Sequence, residues 1–207
     1  MEINEQLKEY LDKYIIPMYD NNDNAHNQEH LEYVINRAIK IGEKEKLNLN
    51  IIYTAAVFHD VGHHINKESH EIVSAEILSK DAFIKEFFNS DELKIIKESV
   101  LDHRASKKES PRSIYGKVIS SADRSTSFNN LLKRVYEVSK NKKSSCSSDI
   151  VDESYNHIKN KYGKNGYARQ TNFFEDAEYE KFLEEVDKAL ENKEKFKKIF
   201  KNINTLD

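Results

Sequence analysis

The chain is poor in the residues that break helices and in those that cross-link polypeptides. Among 207 residues it has 5 Gly, 2 Pro, 1 Cys and no Trp. All-β folds need many tight turns, which Gly and Pro supply, so an all-β fold is disfavoured. A single cysteine excludes an internal disulfide framework and any metal site built only of thiolates.

Long hydrophobic runs are also missing. No stretch approaches the roughly 18 apolar residues of a membrane-spanning helix. The first five residues, MEINE, are acidic and polar, so they lack the basic-then-apolar order of a signal peptide. These absences predict a cytoplasmic protein with no membrane partner.

Neither sign of charge dominates. The chain carries 33 Lys and Arg against 36 Asp and Glu, for a net charge of −3. Such a small charge produces no global field that would attract nucleic acid, so we expect no nucleic-acid partner. The charged residues are mostly Lys and Glu, which favour helices. The composition therefore predicts an all-α protein.

The spacing of apolar residues is helical over most of the chain. One stripe with spacings of three and four contains Leu7, Tyr10, Leu11, Tyr14, Ile15 and Met18. Residues 51–60 are apolar nearly all round, which predicts a central buried helix. The Ser110-Pro111 pair predicts the start of a helix that runs to Asp123. Residues from about 175 to 202 predict one amphipathic helix, and the serine-rich segment around Cys146 predicts an exposed loop.

Histidine is concentrated in the first half of the chain. Seven histidines lie there, and a single one lies beyond; they are His26, His30, His59, His63, His64, His70, His103 and His157. The His59-Asp60 pair closes the apolar segment, and Asp123 follows later. Imidazole and carboxylate together suit Zn, Fe, Mn or Ni, so the pattern predicts a metal site assembled from several segments.

The order and the surroundings of these residues resemble those of a known family. They resemble the conserved motif positions, here called stations, of the HD superfamily of metal-dependent phosphohydrolases. The matching residues are His30 in HLEYV, the His59-Asp60 pair in HDVG, and Asp123. The resemblance covers about residues 26–125. It implies a single HD-type helical domain over 1–207, in which about 126–207 form a helical extension packed on the core.

The resemblance also implies the metal ligands. His30, His59, Asp60 and Asp123 correspond to the ligands of a first ion. His70 and His103 match the stations that hold a second ion in two-metal relatives, where the carboxylate of the pair, here Asp60, bridges the ions. In the alternative they surround a single metal as outer or phosphate-binding groups. The ion, whether Mn, Fe, Ni, Mg or Zn, is left open.

A metal-bound hydroxide that cleaves a phosphoester or phosphoanhydride bond is the implied chemistry. We expect the substrate to be a nucleotide or a similar small phosphorylated molecule. The predicted catalytic residues are Asp60, His63 and Arg124, with His63 standing where several relatives have Lys. The predicted phosphate contacts are Arg104, Arg112, Lys117 and Arg124.

Two other functions are compatible with the same residues. One is a non-catalytic module that binds metal or nucleotide, and the other is a di-iron enzyme that uses oxygen. Among the remaining histidines, we expect His26 to support the metal ligands, His64 to be exposed, and His157 to be structural. Whether the protein forms a homodimer is left open.

Overall fold

Helices account for the regular structure of this chain. The computed structural model describes residues 2–140 and 147–203, without the side chains of residues 147–149. Within these ranges there is no strand, which confirms the all-α prediction. The described residues form eleven α-helices and one 3₁₀ helix, in the order α1 Glu5–Tyr14, the 3₁₀ helix Ile16–Asn21, α2 Gln28–Lys44, α3 Leu49–Phe58, α4 His70–Lys80, α5 Ala82–Phe87, α6 Ser90–Asp102, α7 Ile114–Ala122, α8 Phe128–Lys140, α9 Ser147–Tyr162, α10 Ala177–Leu190 and α11 Lys193–Ile203.

The helices form two compact units. The first unit contains Met1–Asp123 together with Asn172–Phe174, and the second contains Arg124–Thr171 and Glu175–Asp207. In the first unit α3 packs against α2, α6 and α7. In the second unit α8, α9, α10 and α11 pack against one another. The boundary lies close to the end of the predicted motif-bearing core, and the packing of an extension on that core stays a prediction.

Helix α3 is the centre of the first unit. Nine of its ten residues are buried, and Asn50 is the exception. Burial of a large apolar side chain contributes about 1.5–3 kcal/mol, so this apolar helix stabilises the position of whatever follows it. The prediction of a central buried helix is confirmed, and the residues that follow it are His59 and Asp60.

Helix α7 begins later than the sequence predicts. Ser113 caps it and accepts a hydrogen bond from Gly116 N, so the Ser110-Pro111 prediction was wrong. Just before this cap, the backbone N–H of Arg112 donates to Asp102 Oδ2 at the end of α6, at 2.9 Å. That bond holds the preceding residues outside the helix.

The C-terminal amphipathic stretch is two helices and not one. The break lies at Asn192, whose side chain accepts hydrogen bonds from Glu194 N at 2.9 Å and from Lys195 N at 3.1 Å. An asparagine that caps two backbone N–H groups starts a new helix, which here is α11. The predicted loop at Cys146 lies outside the described residues.

No helix among the described residues is both long enough and apolar enough to cross a membrane.

Candidate metal centre

The ends of five helices supply the predicted metal ligands, and all of them belong to the first unit. His30 lies in the first turn of α2, His59 caps the C-terminus of α3 and precedes Asp60, His70 begins α4, His103 caps the C-terminus of α6, and Asp123 caps the C-terminus of α7. These side chains lie close together because the helices that carry them pack with those ends near one another. The helices are α2, α3, α4, α6 and α7.

Asp60 lies between two sets of imidazoles. Its Oδ2 is 3.2 Å from His59 Nε2 and 3.8 Å from His30 Nε2. Its Oδ1 is 3.1 Å from His70 Nε2 and 3.4 Å from His103 Nε2. The structure therefore brings the predicted ligands of both ions to one carboxylate.

Asp123 joins the first set. Its Oδ1 is 3.2 Å from His30 Nε2. The carboxylate is one-fifth exposed, whereas the His30 side chain is 5% exposed. The first set therefore contains two imidazoles and two carboxylates, and its one partly exposed member is the carboxylate that ends α7.

Backbone carbonyls determine the tautomer of three of these histidines. His59, His70 and His103 each place Nδ1 2.7–3.0 Å from the carbonyl oxygen three residues earlier. A carbonyl only accepts, so each Nδ1 carries the hydrogen and donates it. Each Nε2 therefore faces Asp60 and is the nitrogen that can bind a cation in place of a second proton, and this is the arrangement of metal-ligating histidines.

A metal ion fits this donor set. Lone pairs on Nε2 and on a carboxylate oxygen repel each other unless a proton or a cation lies between them. His59 Nε2 and Asp60 Oδ1 are buried and form no hydrogen bond. The 3.2 Å between His70 Nε2 and His103 Nε2 matches the separation of neighbouring ligands on an ion with bonds of about 2.1 Å. The buried cluster can therefore hold a metal.

The electrostatics agree with a site built for a cation. Burial alone would raise the pKa of Asp60, but His59 and the other imidazoles hold that pKa well below its usual range. Burial alone would lower the pKa of His59, but Asp60 raises it to about 9. A metal ion bound there would displace the proton that His59 carries beside Asp60.

The 3₁₀ helix supports the His59-Asp60 pair and was not singled out from the sequence. Tyr19 is fully buried; its hydroxyl donates to Val57 O at 2.8 Å and accepts from Asp60 N at 3.2 Å. Asn22 Nδ2 donates to Asp60 O at 3.1 Å. These contacts span about forty residues, so local periodicity carried no signal for them.

Gly62 allows α4 to approach the pair. A Cβ at this position would lie 2.7 Å from Val73 Cγ1 and 2.8 Å from Ser74 N. The Gly62 N–H also donates to Ser74 Oγ at 3.0 Å. The close approach brings the start of α4, and with it His70, to Asp60.

His63, His26 and His64 lie in different environments. His63 is buried, and burial together with the neighbouring His26 lowers its pKa to about 4. The rings of His26 and His63 stack with centroids 3.8 Å apart. His26 Nδ1 lies 2.6 Å from Asp23 Oδ1, and Asp23 is a residue that the sequence did not single out. His64 is exposed, as expected, and His157 is exposed on α9.

Three of the four predicted phosphate-binding residues contact other groups in the first unit. Arg104 donates to Glu71 at 3.0 Å, and Arg112 donates through two nitrogens to Asp102 at 2.9 Å. Lys117 Nζ lies 5.8 Å from the centroid of the Phe173 ring. The fourth residue, Arg124, is buried and begins the second unit. Their contacts with a phosphate stay predictions.

Known proteins share this region. Residues 27–127 match the sequence profile of the HD domain. An uncharacterized protein of Clostridium beijerinckii is 40% identical over 89 residues, which are 41% of this chain and 56% of that protein. This chain thus matches little more than half of that relative's length.

A solved structure shares the fold. The crystal structure of a predicted HD superfamily hydrolase from an uncultured Thermotogales bacterium aligns with a TM-score of 0.51 and 22% identity. The alignment covers 74% of this chain and 87% of the other. At this identity the likeness concerns the fold alone. The profile match and the clustered motif residues agree on one conclusion: residues 27–127 of this chain form an HD domain.

Proposed function

We propose that the protein is a metal-dependent phosphohydrolase that cleaves a phosphoester or phosphoanhydride bond in a nucleotide or a similar small molecule. The observation that carries the proposal is Asp60, whose two oxygens face separate sets of imidazoles inside the HD domain. The Thermotogales protein of similar fold is a predicted hydrolase, and this supports the same class of reaction.

The distances support two ligand sets. His30, His59, Asp60 and Asp123 would hold a first ion, and His70 and His103, together with Asp60, would hold a second one. Divalent ions in such a site lower the pKa of water toward about 7 and polarise a phosphoryl oxygen.

Backbone carbonyls fix the orientation of three of the proposed metal ligands. The carbonyls of Ala56, Lys67 and Val100 hold the Nδ1 hydrogens of His59, His70 and His103, so the three Nε2 atoms stay directed toward Asp60, where the ions would bind. The buried helix α3 excludes water from one side of Asp60, and this strengthens electrostatic interactions on that side.

Cations and hydrogen-bond donors are needed for the substrate phosphate. Arg124 directly follows Asp123, and Arg104 directly follows His103, so the backbone of each starts next to a ligand. An arginine grips a phosphate through two parallel N–H groups, so we assign Arg124 the first such contact. His63, buried beside His70 with ring centroids 5.2 Å apart, is the second candidate for a phosphate contact.

The experiment combines metal analysis with a screen for phosphate release. We expect purified protein to bind Mn, Fe, Ni, Mg or Zn and to hydrolyse a phosphorylated compound with at least one of them. Asp60→Ala should lose both the metal and turnover, because Asp60 serves both sets of imidazoles. Asp91→Ala, which removes an exposed carboxylate from the first turn of α6, is the matched control and should retain both.

Other results would select the other functions. Turnover that requires oxygen and fails anaerobically would establish the oxygen-using di-iron enzyme. Bound metal without any product from any phosphorylated compound would leave a binding module. Unchanged metal content in both His70→Ala and His103→Ala would remove the second ion.

A further inference from the structure

A third cluster of metal-ligating side chains lies in the first unit, outside both proposed ligand sets. One nitrogen or oxygen from each of Asp23, His26 and His63 lies within 4.8 Å of the others. Asp23 and His26 come from the segment between the 3₁₀ helix and α2, and His63 comes from the turns after α3. The cluster has two imidazoles and one carboxylate, as do the groups His30–His59–Asp60 and Asp60–His70–His103.

The contact between His26 and Asp23 is one that a cation can take over. His26 Nδ1 lies 2.6 Å from Asp23 Oδ1, so the two atoms already face each other. The hydrogen bond with His26 is the main cause that holds the pKa of Asp23 well below its usual range, so the carboxylate is ionised. An ion that replaces the shared hydrogen would bind Nδ1 and Oδ1 together, and metal binding commonly releases a proton in this way.

His63 contributes a buried nitrogen that has no partner. The residue is 5% exposed, and its Nδ1 forms no hydrogen bond. A buried polar atom without a partner is costly, so its presence calls for an explanation. The ring stacks on His26 at an interplanar angle of 22°, so the two imidazoles lie side by side.

We propose that Asp23, His26 and His63 form a third cation site that takes a divalent transition-metal ion such as Zn²⁺, Fe²⁺ or Mn²⁺. Two imidazoles and one carboxylate suit these ions and leave positions for water. Neighbouring ligands on an ion with bonds of about 2.1 Å lie about 3.0–3.4 Å apart. The ligand atoms lie within 4.8 Å of one another, so a pair at that limit needs to close by about 1.4–1.8 Å.

The third site is more open than the central pair of sites. The side chains of Asp23 and His26 are 29% and 25% exposed, whereas those of His59 and Asp60 are 0% and 4% exposed. Water therefore reaches two of the three ligands. We expect the third ion to bind more weakly and to exchange faster than the central ions.

Lys67 competes with the ion. Its Nζ lies 3.0 Å from Asp23 Oδ2, the oxygen that is not bonded to His26. The lysine side chain is 67% exposed, so it can turn away into solvent when a cation arrives. Removing this ammonium group removes a like charge from the site, and affinity should rise.

The test is a calorimetric titration of the metal-free full chain with Zn²⁺. We expect Asp23→Asn and His26→Gln each to bind one ion fewer per chain than the wild type. We expect Lys67→Met to bind the same number, with the weakest class of site about fivefold to tenfold tighter because a positive charge close to the ion is gone. His64→Gln removes an exposed neighbouring imidazole and is the matched control, with no change expected.

Two results would overturn the proposal: an unchanged ion count in both Asp23→Asn and His26→Gln, or an unchanged weakest affinity in Lys67→Met. Lys67 is a surface residue, so its variant should fold, and circular dichroism checks the other two. The titration involves no substrate. A failed screen for phosphate release therefore leaves this test intact, and a missing third ion leaves the phosphohydrolase proposal intact.

Discussion

The two units of this protein use their interiors differently. In the first unit the buried residues include ionisable groups directed at one another, among them His30, His59, Asp60, His70 and His103. In the described part of the second unit the buried polar residues are Arg124, Ser139 and Ser154, and the rest of the interior is apolar. The interior of the first unit therefore includes ionisable side chains that can bind a metal. The described interior of the second unit is mainly a hydrophobic core.

Aromatic packing is the main feature of the second core. Phe196 is fully buried, meets Tyr155 edge-on at 5.2 Å and stacks on Phe200 at 5.7 Å. In the first unit the ring contacts around Asp60 include contacts between histidines, such as His59 and His103 at 5.3 Å. The same kind of ring contact therefore stabilises a core in one unit and gathers metal-binding nitrogens in the other.

The largest expected effect is a loss of stability on removing an aromatic ring from the second unit, and it tests whether the core of that unit is purely structural. Phe196→Ala should lower the free energy of unfolding by about 3–5 kcal/mol, because a large buried ring is lost and a cavity remains. Denaturant unfolding measures this loss. Val138→Ala, at a side chain that is 42% exposed in the same unit, is the control and should change little. A reduced metal content in folded Phe196→Ala would contradict the separation of roles.

The next effect tests whether metal stabilises one unit only. At a free metal concentration about one hundred times the dissociation constant, a ligand that binds the native state adds about 3 kcal/mol. Hydrogen exchange should show this gain in the amides of α3 and α6, whose ends carry His59 and His103. The amides of α10 and α11 should keep their protection. An equal gain in both units would show that they unfold together.

The smallest effect compares two carboxylate–arginine pairs, one in each unit. The Asp102 side chain is 1% exposed and binds Arg112 and Lys107, whereas Asp187 is 29% exposed and binds Arg169 at 2.7 and 2.8 Å. Asp102→Asn should cost about 1–3 kcal/mol, since a buried charged hydrogen-bond acceptor is lost. Asp187→Asn should cost about 0–1 kcal/mol, because solvent screens that pair.

The pH dependence distinguishes the same two variants. Burial opposes ionisation of Asp102, but Arg112 and Lys107 lower its pKa below the usual value. Its stabilising contribution is therefore present above the ordinary carboxylate pKa of about 3.9 and is lost as the pH falls through the lowered value. Unfolding measured from pH 7 to pH 2 should lose less stability in Asp102→Asn than in the wild type. Identical acid profiles would contradict the pairing.

Part of the candidate site could be predicted from the sequence, because the residues that flank each predicted ligand identify it. The apolar run before His59 predicts a buried helix, and the structure has α3 there. Asp123 was expected at the end of a helix, and it lies at the end of α7. The contacts of Tyr19 and Asn22 with Asp60 could not be predicted, since they join residues 41 and 38 positions apart.

The sequence by itself determined the helical class and the order of the histidine and aspartate stations, because both depend on residue type and short spacing. The tertiary structure decided which carboxylate serves both imidazole sets, where α7 begins, and that Asp23, His26 and His63 meet. Each of these depends on which helix ends the packing brings together. A helical period relates residues three or four apart, and it carries no information on contacts across forty residues.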